Sequence, residues 1–103
     1  MYKHYKAGYY ISNHGKVKRI RNGEKKNVKL SIDKNGYLWF YLYNVKEKKY
    51  IHRAVAELFI PKIKGKWIVD HINGDRKNNN VSNLRWVTSS ENSLNRVCHR
   101  KGA

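Results

Sequence analysis

The chain has 103 residues and a mass of 12.3 kDa, with 23 Lys and Arg against 7 Asp and Glu and a formal net charge of +16. One domain fits this length, and the charge points to a polyanionic partner, nucleic acid or an anionic surface. There is no apolar run long enough to cross a bilayer, no apolar core in the N-terminal MYKHYKAGYY, and a single cysteine, Cys98, which excludes an internal disulfide or a Cys-based zinc site.

The chain therefore reads as intracellular. Disorder is excluded by the aromatic content of 13% and by many Val, Ile and Leu. All eight tyrosines lie in residues 1–50, which also carry 13 Lys and Arg against Glu24, Asp33 and Glu47.

In chain order, residues 9–12 (YYIS) form a short β-prone run followed by the turn signal Asn13-His14-Gly15. Val17 to Arg21 alternates and completes a hairpin with a basic edge. Residues 28–32 (VKLSI) alternate as a strand, and Asp33-Lys34-Asn35-Gly36 is a turn. Residues 37–45 (YLWFYLYNV) are the most β-prone stretch; residues 46–49 turn it, and residues 50–52 return as a partner. The first half is an antiparallel meander.

The period then changes. Ala54, Val55, Leu58 and Phe59 share one helical face, and Pro61 stops that helix. Residues 67–70 (WIVD) and 84–87 (LRWV) read as paired strands around the polar loop 72–83. Thr88 and Glu91 fit a capping box that opens a helix over 89–97, and residues 98–103 are a frayed tail.

This second half gathers the chemistry. Asp70 and His71 end a strand, Asn83 lies at the loop exit, and Asn92 lies in the first helical turn. A carboxylate and an amide oxygen are hard donors suited to Mg²⁺ or Mn²⁺. A histidine takes a proton from water near neutral pH, and an Asn oxygen accepting its ring N–H fixes its tautomer. Helical geometry puts Asn92, Asn95, Arg96 and His99 on one face and Leu94, Val97 and Cys98 on the other. Neighbours in a regular strand point to opposite faces, so Asp70 and His71 serve one site only if the strand ends or twists there.

The stretch HRAVAELFI…VDHINGDRKNNNVSNLRWVTSSEN, from His52 to Asn92, resembles the HNH nuclease motif of phage and intron homing endonucleases. The segment YYISNHGKVKRI is similar to the short N-terminal module found in those enzymes. The resemblance implies an α+β protein: an N-terminal antiparallel β meander over 1–51 and a ββα-metal module over 52–97. By the same resemblance His71 is the general base, Asp70 and Asn92 hold one divalent ion (Mg²⁺ or Mn²⁺), and Asn83 braces the loop and orients His71. The last position of the motif's name is here Asn92 rather than His.

The implied activity is metal-dependent hydrolysis of double-stranded DNA to 5′-phosphate and 3′-hydroxyl ends, by a monomer or homodimer, in the host cytoplasm if the protein is phage-encoded. Lys16, Lys18, Arg19, Arg21, Arg53, Arg85 and Arg96 are the candidate DNA contacts. The competing reading is a non-catalytic DNA-binding protein that keeps the fold. A membrane-surface role wants a basic amphipathic helix, and neither expected helix is one. Taken singly, Trp39, Trp67 and Trp86 read as core and Asn78 to Asn80 as loop backbone, and the sequence names no partner for His4, His14 or His99.

Overall fold

The computed structural model describes residues 1–92, and its architecture is α+β with antiparallel strands throughout. Four strands form the first sheet in chain order: β1 (Tyr2–Lys6), β2 (Tyr9–Ser12), β3 (Val17–Arg21) and β4 (Glu24–Asn27). The β2–β3 hairpin has the expected bounds. The flanking strands β1 and β4 carry little apolar pattern to read; β4 (EKKN) is exposed at every position. Its backbone completes the ladder, and its charges blunt the open edge.

A second sheet holds β5 (Ser31–Ile32), β6 (Leu38–Leu42) and β7 (Glu47–Tyr50). β5 is shorter than the expected 28–32, because Val28 instead donates its N–H to the Val17 carbonyl of β3 (3.0 Å). The turn after β6 falls at 43–46 rather than 46–49. Asn44 fixes it there by donating to the Ala7 carbonyl (3.1 Å) and accepting from Arg19 (2.8 Å).

The return strand comes earlier than the expected 50–52, as β7, and helix α1 (Ile51–Phe59) follows it directly, burying Ile51, Ala54, Val55 and Ala56. Ile60 is already extended ahead of Pro61, as the residue before proline must be. β8 (Ile68–His71) and β9 (Leu84–Val87) then pair from Ile68 opposite Val87 to His71 opposite Leu84, with a 3₁₀ turn (Val81–Asn83) between them.

One hydrophobic cluster joins the two sheets, the helix and the hairpin: Tyr9, Ile11 and Val17 from the first sheet, Phe40 and Leu42 from the second, the α1 residues, and Val69, Leu84 and Trp86 from β8–β9. Trp86 is buried, and its indole N–H donates to the Ile60 carbonyl (3.1 Å). Trp39 is half-buried under Lys48. Trp67 is 66% exposed, which corrects its reading as core: it precedes β8 and lies outside the hairpin's buried face. The N-terminal sheets and the β8–β9 hairpin are thus set against each other by a shared core.

Candidate active site

The Thr88–Glu91 capping box forms in both directions. The Thr88 N–H donates to Glu91 Oε1 (3.0 Å), and the Glu91 N–H donates to Thr88 Oγ1 (3.2 Å). It starts a helical turn at 89–92, where Asn92 is half-buried and donates its backbone N–H to the Thr88 carbonyl (3.0 Å). Arg96, Cys98 and the remainder of the expected helix lie outside the described residues.

β8 ends at His71, so its last two residues leave the strand with different partners. Asp70, 4% exposed, accepts from Arg85 Nε at 3.1 Å, across the rung where the two residues are opposed. Arg85, a candidate DNA contact, therefore neutralises the buried carboxylate. His71, 5% exposed, faces the loop and α1. Its Nε2 lies 2.8 Å from Asn79 Oδ1. An amide oxygen only accepts, so Nε2 carries the proton and the lone pair is on Nδ1.

The bond that fixes His71 thus comes from Asn79, where the expectation was Asn83. Asn83 braces the loop instead. Its Oδ1 accepts from the Asn73 N–H (3.1 Å), its Nδ2 donates to Asn73 Oδ1 and to the Asn78 carbonyl (both 3.0 Å), and its own carbonyl accepts from the Ile72 N–H (2.7 Å). Those bonds occupy the amide of Asn83 and turn it toward the loop backbone, while Asn79 sits buried beside the ring. The run of three asparagines concealed this, because only tertiary placement distinguishes the middle one.

Rings close the other side of His71. The His52 centroid is 5.0 Å away, the Tyr37 centroid 6.0 Å, and Tyr37 in turn carries the Arg76 guanidinium at 4.8 Å. Burial pushes His52 down to about 3, helped by the neighbouring His71 and Arg53, so it is a neutral ring near pH 7. Burial also holds His71 below the usual imidazole range. The Asn79 bond and the Asp70 and Asp75 carboxylates oppose that shift without reversing it. A neutral imidazole with its lone pair on Nδ1 can accept a proton from water.

The two expected ligands, Asp70 and Asn92, offer one carboxylate and one amide oxygen. The described residues hold no group of three His, Cys, Asp or Glu able to ligate a metal ion. An Asp carboxylate with an Asn amide fits Mg²⁺ or Mn²⁺, which keep several waters and take further oxygens from a phosphate.

The basic residues divide by placement. Lys16 and Arg21 are exposed on the β2–β3 hairpin. Lys18 lies over Tyr2 (4.6 Å), and Arg19 is engaged by Asn44 and lies over Tyr9. Arg53 donates to the Trp67 carbonyl (3.0 Å) and approaches Glu57 (3.9 Å).

Residues 49–94 match the family model described as HNH endonuclease. The chain is 37% identical over 97 residues to the DNA endonuclease I-HmuI of Bacillus phage SP01, covering 92% of this chain and 55% of that enzyme. It is 41% identical over 90 residues to an uncharacterized HNH endonuclease of Acanthamoeba polyphaga mimivirus, covering 82% of this chain and 22% of that protein. The solved structure of I-HmuI, described as DNA binding and cleavage by an HNH homing endonuclease, matches with a TM-score of 0.79 at 36% identity over 95% of this chain and 58% of that one. The chain thus spans about half of I-HmuI and a smaller part of the viral relative.

Proposed function

From a chain that is a homologue of the phage HNH homing endonucleases and carries the HNH module at residues 49–94, we propose a metal-dependent endonuclease that hydrolyses phosphodiester bonds in double-stranded DNA. The observation that carries this reading is the buried, neutral His71, held through Nε2 by Asn79 and adjacent to Asp70. Binding DNA alone requires no such base.

His71 Nδ1 takes a proton from water, and the water oxygen attacks phosphorus. The bond to the 3′ oxygen breaks and that oxygen takes a proton from solvent water, leaving a 5′-phosphate and a 3′-hydroxyl. Asn79 keeps the Nε2–H tautomer through the step, and Asn83 keeps the loop closed beneath it. Asp70 and Asn92 would hold a divalent ion, which would supply positive charge against that developing on the phosphate. Residues 1–51 supply the basic surface along the duplex, with Lys16 and Arg21 reaching phosphates. One such site per chain nicks one strand unless two copies pair.

The test is conversion of supercoiled plasmid by the protein with Mg²⁺ or Mn²⁺, with EDTA and His71→Ala as controls. Open circles that require both metal and His71 support the reading, and the share of linear product separates nicking from double-strand cutting. A retarded band without conversion favours the binding-only alternative.

A further inference from the structure

The turn between β2 and β3 lies against the segment that holds His71. Ser12, 2% exposed, shapes this turn: its Oγ accepts from the His14 N–H (3.2 Å) and the Lys16 N–H (3.0 Å), and its carbonyl accepts from the Gly15 N–H (3.0 Å). The shaped turn then grips residues 79–81 at three points. The Asn13 carbonyl accepts from the Val81 N–H (2.8 Å). His14 Nδ1 accepts from Asn80 Nδ2 (2.8 Å). The Gly15 backbone lies against Asn79 so closely that a Cβ there would come within 2.9 Å of Asn79 Cβ and 3.2 Å of its carbonyl oxygen.

Asn79 needs that grip. Its amide nitrogen is buried without a hydrogen-bond partner among the described residues, so the amide is fixed only by its bond to His71 and by the surfaces around it. Gly15 supplies one such surface. It is buried with φ +84°, where a side chain is disfavoured on backbone grounds as well.

We propose that the Asn13–Gly15 turn of the N-terminal sheet is a positioning element for the base: by clamping residues 79–81 it holds the Asn79 oxygen on His71 Nε2 and so sets the tautomer and direction of the ring. The consequence for cleavage rests on the nuclease reading above; the structural claim does not. The N-terminal sheet thereby has a part in chemistry separate from any contact with DNA.

The experiment compares Gly15→Ala with Gly23→Ala. Gly23 has nearly the same φ (+79°), lies in the next turn of the same sheet, and has nothing within 4 Å of the position a Cβ would take. His14→Ala, an exposed change that removes only the bond to Asn80, is the milder variant should Gly15→Ala unfold. The first readout is the ¹⁵N spectrum of the His71 imidazole in the free protein at fixed pH, which reports tautomer without cleavage. Gly15→Ala, or His14→Ala to a lesser degree, shifts the Nδ1 and Nε2 signals toward a mixture of tautomers, and Gly23→Ala leaves them in place. The second readout is single-turnover cleavage with DNA saturating, which falls about tenfold or more in Gly15→Ala at unchanged DNA affinity. Unaltered ¹⁵N signals in folded Gly15→Ala and His14→Ala, or an equal change in Gly23→Ala, overturn the proposal. A wild-type protein that never cleaves overturns the nuclease reading and leaves the ¹⁵N result to decide the clamp.

Discussion

Asp70 and Arg85 are directly opposed across the β8–β9 ladder and joined at 3.1 Å, the carboxylate buried and the guanidinium with a side-chain exposure of 47%. The pair is therefore asymmetric. Removing the half-exposed arginine takes one ion pair from a buried carboxylate, at a cost of about 1–3 kcal/mol, and at the low end because solvent reaches the pair.

The same pair sets up competition with metal. Arg85→Ala lowers the melting temperature in EDTA and, by unmasking the Asp70 carboxylate, raises the gain from added Mg²⁺ above that of wild type. Thermal melts with and without Mg²⁺ check this. An identical Mg²⁺ gain in both proteins contradicts Asp70 as a ligand.

A second expectation concerns pH and His52. Unfolded, this imidazole titrates near 6.5; folded, burial holds it at about 3. The unfolded chain therefore binds the extra proton between those values, and stability falls as pH drops below 6.5, by up to about 1.4 kcal/mol per pH unit. His71, also pushed down by burial, adds to the same slope. His52→Phe keeps a ring beside Tyr37 and removes the titrating group. Urea melts at pH 7, 5.5 and 4.5 should show a shallower loss in the variant. Equal slopes would place the acid sensitivity elsewhere.

How legible these features were depended on how local each is. The β2–β3 hairpin, the β8–β9 pairing and the Thr88–Glu91 box are written in short-range patterns: alternation, turn residues and a three-residue spacing. β4 is a run of charged and polar residues that becomes a strand only because β3 offers it a ladder. The positions of Asp70 and His71 at a strand end followed from sequence, but their partners did not. Asn79 is one of three identical neighbours, and the reason it meets His71 lies in a turn more than 60 residues earlier. His52 reads in the sequence as part of a return strand; its position 5.0 Å from His71 is a product of the shared core.

The capping box gives a third expectation. Thr88→Ala removes the acceptor for the Glu91 N–H and costs about 1 kcal/mol of stability. Since Asn92 lies in the same helical turn, the variant also weakens Mg²⁺ binding, read by calorimetry. Thr88→Ser restores the acceptor and both properties. Loss of stability with unchanged Mg²⁺ affinity speaks against Asn92 as a ligand.

The last expectation separates phosphate contacts from structural cations. Arg19 is tied to Asn44, and Lys49 sits 3.0 Å from Glu57 in an ion pair, so each has a role inside the fold. Lys16 and Arg21 are exposed on the β2–β3 hairpin. A cation that reaches a DNA phosphate displaces condensed counter-ions, and each such contact adds about −0.9 to the slope of log affinity against log salt. Lys16→Ala and Arg21→Ala should therefore each flatten that slope by about 1 and weaken binding to the same degree on unrelated duplexes. Filter binding across a salt series on two unrelated sequences provides the measurement. A variant that loses affinity on one sequence alone has lost a base contact; one that keeps the wild-type slope has lost no phosphate contact, and the basic edge of the hairpin then lies away from the duplex.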